Sequence, residues 1–240
     1  MRDDQNTKTE LRLMEGTGSP SGRYALAWGI PGISDLEQLH QKKLWDVLDE
    51  RQVRNYVVEK KTLRIVSTLP RHERWVRNVD TGKQWAYKSG GNHWGGIHGI
   101  GRNHSHVSSL WNPTEDTLVV IHSGKWWYEA IYFGERVGQG YRFIEIGDDI
   151  EDFVRREARR RNPKLYDHDH KADERDPSVY FIITKVPVFR PNLLSLGVAC
   201  DSAWREKIGD TSLRIQGVIE LRVRSITSQL SAKPIRFREE

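Results

Sequence analysis

The stretch from Thr117 to Phe133, TLVVIHSGKWWYEAIYF, limits what this chain can fold into more than any other. Its first half is a continuous apolar, largely β-branched run that ends in His122 and Ser123. Its second half alternates Trp126, Tyr128, Ala130 and Tyr132 with Trp127, Glu129, Ile131 and Phe133, and Gly124 stands between the two halves. An unbroken apolar run fits a strand buried on both faces, a period of two fits a strand with distinct faces, and glycine fits the turn that joins them. Two adjacent strands are therefore expected here. A His-Ser pair closing a buried strand beside an aromatic ribbon can floor a small pocket; the alternative is a core hairpin whose indoles fill space.

At 240 residues the chain can hold one large domain or two small ones around a sizeable core. Its 38 Lys and Arg against 33 Asp and Glu give a formal charge of +5, an excess that permits a polyanionic partner without requiring one. The single cysteine, Cys200, excludes an intramolecular disulfide and a thiolate zinc cage, as suits a reducing cytoplasm. No apolar run approaches the roughly 20 residues of a membrane span, and the opening MRDDQNTKTE lacks the pattern of a signal peptide. A cytoplasmic protein without a membrane partner is expected.

Along the chain, residues 1–21 are polar, end in GTGSPSG and read as a mobile tail. RYALAW, residues 23–28, is the first strand. Ser34 with Glu37 makes a capping box for a helix carrying Leu36, Leu39, Leu44, Val47 and Leu48, with Trp45 beside that face. NYVVEK and LRIVS follow as strands. In RWVRNVDTGKQWAYK the Asp80-Thr81-Gly82 turn predicts a hairpin bearing Trp75 and Trp85 together with Arg74, Arg77, Lys83 and Lys88. Cations interleaved with aromatics suit a nucleic-acid backbone; an ordinary hairpin with one solvated face reads equally well.

The segment from Ser89 to His106 holds six Gly and four His. His93, His98, His104 and His106 are weak candidates for a metal, since no carboxylate or thiolate stands at a recognised spacing. A dinucleotide fingerprint fails on His104, an HNH-type nuclease loop lacks its following helix, and a Gly-rich surface or ligand-gripping loop is the plainer reading. Tyr141 to Ile146 predicts a strand. Asp148 and Asp149 then start a helix with Ile150, Phe153, Val154 and Ala158 inside and a run of arginines, Arg155 and Arg159 among them, that can meet phosphates or simply complement the helix dipole. The loop YDHDHKADERDP is polar and charged. Tyr180 to Lys185 reads as a strand, 186–191 as an extended turn, 193–204 as a loop with room for one helical turn, and 213–223 as the last strand or a strand-helix junction.

The order of these motifs resembles the EVE domain of the PUA-like superfamily. RYALAWGIPGISDLEQL is similar to that family's opening strand, Pro-containing loop and first helix. LWDVLDERQVRNYV is similar to its Leu-Trp-Asp-Gly-Val-Arg-Asn segment, with Val47 where Gly is usual and the Arg-Asn pair displaced to Arg54-Asn55. DTLVVIHSGKWWYEAIYFGERV resembles its strand ending in Tyr-His-Ser, and the segments from Pro163 to Leu196 and from Ser212 to Leu221 resemble its closing strands.

The resemblance implies an α+β fold: a PUA-like mixed β-barrel with flanking helices, formed by residues 22–58 and 114–230. Residues 59–113 would be an inserted β-rich lobe. It also implies a pocket for a flipped, often modified base, walled by Trp28, Trp45, Val47, His122 and Ser123. The expected partner is nucleic acid, DNA before RNA, with Arg74, Arg77, Lys83, Lys88, Arg155 and Arg159 on its backbone and no cofactor. The rival readings are a metal-dependent, HNH-like nuclease targeted by a PUA-like domain, and a sensor of a free nucleotide or other small molecule.

Overall fold

The computed structural model describes residues 9–37, 53–70, 75–77, 84–86, 106–123, 128–164, 180–190, 192–201, 214–226 and 229–239. The chain divides into two compact units, Met1–Lys125 with Gly134–Phe143, and Trp126–Phe133 with Ile144–Glu240.

In the first unit, β1 (Leu11–Leu13), β2 (Tyr24–Gly29), β3 (Arg54–Glu59) and β4 (Arg64–Thr68) pair antiparallel in chain order. Every residue of β2 is buried, as its apolar sequence YALAWG requires of a strand covered on both faces. Ala27 packs with Tyr56, Val58 and Leu11 on one side. On the other, the Tyr24 ring meets Trp111, stacked at 6.1 Å, and Tyr141, edge-on at 5.9 Å. Those rings come from a second sheet of order β10-β9-β8-β7, built from β7 (His106–Trp111), β8 (Thr117–Ser123), β9 (Tyr128–Val137) and β10 (Gly140–Glu145). Strands β9 and β10 are each divided between the two units. A separate short hairpin joins β5 (Trp75–Arg77) to β6 (Gln84–Ala86), as the Asp-Thr-Gly turn predicts.

In the second unit, β11 (Tyr180–Arg190), β12 (Leu193–Asp201), β13 (Arg214–Ile226) and β14 (Gln229–Glu239) form an antiparallel sheet in chain order. The helix α1 (Gly147–Arg161) buries Ile150, Val154 and Ala158, and its Arg161 guanidinium stands 5.0 Å from the centre of the Phe237 ring. Asp148 and Asp149 lie in its first turn and Arg159 to Arg161 in its last, matching the helix dipole.

Several expectations change. The α+β barrel is overturned: three open, four-stranded sheets dominate, α1 is the one full helix among the described residues, and no ladder closes the sheets into a ring there. One reason is visible at residues 193–201, expected as a loop: Leu194, Leu196 and Val198 alternate inward, and the intervening Ser195 and Gly197 do not break the ladder with β13. Residues 9–21 are not a free tail either. β1 adds to the first sheet, Met14, Thr17 and Ser19 are buried, and the Thr17 hydroxyl both accepts from the Leu26 amide at 3.0 Å and donates to the Met14 carbonyl at 2.7 Å. Of the helix expected from Ser34 only its start is described, with the Leu36 amide donating to the Glu10 carboxylate. No helix among the described residues is long and apolar enough to cross a membrane.

Candidate functional site

Alternation along β2 puts Tyr24, Leu26 and Trp28 on one face, and the register with β3 sets Trp28 directly opposite Asn55. Both side chains are completely buried, at 0 % exposure. Neither the Oδ1 nor the Nδ2 of Asn55 has a hydrogen-bonding partner. That is uncommon, because an amide removed from water without a replacement bond costs about 1–3 kcal/mol.

The second sheet packs on the Tyr24 end of this face. Leu118, Val120 and His122 share a face of β8 with their partners Trp111, Ser109 and Val107 of β7. Trp111 stacks on Tyr24 at the near end. One step further along, the Ser109 hydroxyl donates at 2.9 Å to the carbonyl of Thr17, whose own hydroxyl accepts from Leu26. Beyond Ser109 and Val120, the next pair on this face of the β7–β8 ladder is Val107 with His122. His122 is buried at 1 % exposure. The Trp28 indole and the Asn55 amide, with one acceptor and two donors, are the groups on this face suited to a flat heterocycle with donors and acceptors along one edge.

The loop before β2 is tied to this sheet as well. Glu115 accepts from the Ser21 amide at 2.8 Å, and Tyr141 donates its hydroxyl to the Glu115 carbonyl at 2.6 Å. Burial alone would raise the Glu115 carboxyl, but hydrogen bonds from Ser21 and Ser19 and the charge of Arg23 hold it below its ordinary range.

The remaining predicted residues divide between the placed and the unplaced. Trp45 and Val47 lie outside the described residues, as do Arg74, Lys83, Lys88, His93, His98 and His104. Ser123 closes β8 opposite His106 of β7, and Arg77 pairs with Gln84 across the short hairpin. Arg155, expected on a nucleic-acid backbone, is instead buried, with its Nε and Nη2 donating to Glu151 on the same helix at 2.9 and 2.6 Å. Arg159 is exposed in the last turn of α1. Among the described residues no group of three or more His, Cys, Asp or Glu is arranged to hold a metal.

In the second unit, Glu145 accepts from the Gly147 amide at 2.8 Å where α1 begins. Burial, with the neighbouring charge of Asp148, raises its carboxyl to about 7. Burial and the charges of Glu145 and Asp148 likewise raise the Tyr132 phenol. Sequence reasoning passed over both Asn55 and Glu145, since each looks like the polar end of a strand.

Comparison with protein-family models, with curated proteins and with solved structures returned no match to this chain.

Proposed function

We propose that this protein binds nucleic acid and accepts a single extruded base, with Trp28 packing against the base, Asn55 reading its edge and His122 completing the polar end of the site. The observation that carries the reading is the buried Asn55 amide without a partner, set across from a buried tryptophan. A flipped base gives up stacking worth a few kcal/mol, and an indole with a bidentate amide returns it. The Asn55 amide gains its missing hydrogen bonds in the same step. The ordered motifs that resemble the EVE domain point to the same class of ligand through their residues, not through a barrel. Because Trp28 and Asn55 are closed to solvent, a base enters only as the surrounding chain opens, so binding should perturb tryptophan fluorescence.

The test is Asn55→Leu in the full chain, titrated with DNA and RNA oligonucleotides carrying modified and unmodified bases. Loss of the amide should lower discrimination between bases about 5- to 150-fold, the equivalent of roughly 1–3 kcal/mol. Thermal stability should hold or rise, since a partnerless polar group is replaced by an apolar one of similar size. An unchanged base preference would sink the proposal, and binding lost in chelator would move the case to the nuclease reading.

A further inference from the structure

The outward face of the β11–β14 sheet carries six exposed cations, Arg190, Arg222, Arg224, Lys233, Arg236 and Arg238. Register places them in rows. Lys233 of β14 stands opposite Arg222 of β13, which stands opposite Leu193 of β12, which in turn stands opposite Arg190 of β11. Arg236 opposes Glu220 in the next row, and Arg238 reaches Glu220 at 2.6 Å. The opposite face, with Leu194, Leu196, Ile219, Leu221 and Ala232, is buried.

Arg222 and Lys233 are like charges directly opposite one another, an arrangement that opposes folding of the sheet. Apart from Arg238, none of the six forms an ion pair or side-chain hydrogen bond among the described residues. Folding alone therefore gives no account of this array. Neighbouring strands are about 5 Å apart and alternate residues of one strand about 7 Å apart, so the cations form a grid on a flat surface. Five of the six are arginines, whose planar fork grips phosphate oxygens in pairs. No aromatic anchor of the kind that seats a protein on a bilayer stands on this face among its described side chains.

We infer that the outward β11–β14 face is a second, sequence-independent surface for a nucleic-acid phosphate backbone. It is separate from the Trp28–Asn55 site and does not depend on it.

The experiment compares the full chain with Arg222→Ala/Lys233→Ala/Arg236→Ala, titrating unmodified duplexes of two unrelated sequences over a range of salt. The slope of log affinity against log salt should flatten by about two to three units, each lost phosphate contact removing roughly 0.9. Affinity for both duplexes should fall at least tenfold and to the same degree, while the melting temperature is kept or raised, because the Arg222–Lys233 repulsion is gone. Asn55→Leu should leave this slope unchanged, so failure of one proposal is distinguishable from failure of the other. Unaltered affinity and slope in the triple variant would overturn the inference. So would unaltered duplex binding accompanied by lost binding to phosphatidylserine vesicles, which would make the face a membrane contact.

Discussion

At the scale of single residues, Trp28 and Asn55 differ in how much the sequence disclosed. The tryptophan was legible as a strand-end aromatic in RYALAW, but its complete burial was not, because burial depends on which strands flank it. Trp28→Ala is thus expected to cost about 3–5 kcal/mol in chemical unfolding, the penalty of emptying a core position. Trp28→Phe keeps most of the packing and is the variant that reports on base stacking. Asn55 stands beside Arg54 at the start of its strand, where a polar residue ordinarily meets solvent. Only the pairing of β2 with β3, remote in sequence, turns it inward. His122 was read correctly as the end of a buried strand, since the run before it is apolar throughout.

Among elements, the central strands were legible and the last ones were not. β8, β9 and the β5–β6 hairpin announce themselves by β-branched runs, alternation and turn residues. β12 contains Ser195 and Gly197, and β14 contains Pro234, residues that weaken a strand assignment from sequence. Both are nonetheless long strands, because β13 between them is long and apolar on one face, and because the ladder shifts register beside Leu221–Pro234 to take in the proline. Close approach of β13 to β14 has its own requirement at Gly217. A Cβ there would run into the Arg238 carbonyl oxygen and stand 2.7 Å from Phe237 Cζ. Backbone cannot yield as a flexible side chain can, so Gly217→Ala should destabilise by at least about 1–3 kcal/mol, the usual penalty of overpacking. Gly18→Ala, where nothing lies within 4 Å, is the control and should be close to neutral; urea midpoints of the two variants decide the matter.

For the molecule as a whole, the α+β expectation failed because it inferred the overall pairing from short ordered motifs spread along the chain, the last third included. Antiparallel pairing over the last third is set by long-range register, which no local motif carries. Stability against pH is also a property of the whole molecule. The Glu145 carboxyl, raised by burial to about 7 from 4.5, favours the folded state while it holds its proton. That advantage is complete below 4.5 and is lost as pH rises through 7, where the folded carboxyl must ionise in place. Unfolding free energy should therefore be lower at pH 8 than at pH 5, and Glu145→Gln should remove about 1–3 kcal/mol of that difference. A Gln variant with the same pH profile as the parent would show that Glu145 is not the source. Glu115 works in the opposite sense, since its depressed carboxyl contributes stability above its ordinary range that is lost on acidification.

The register shift at Pro234 also bears on how copies of this chain behave toward one another. β14 is the outer strand of its sheet among the described residues, and an outer strand offers unpaired amides and carbonyls to any other extended chain. Here proline withholds one amide, the irregularity bends the strand, and Lys233, Arg236 and Arg238 repel a second copy brought alongside. The charges assigned above to a nucleic-acid partner thus also guard the protein against self-association by strand addition. Neutralising them should shorten the time to visible aggregation on storage at high concentration, even while each folded molecule becomes no less stable.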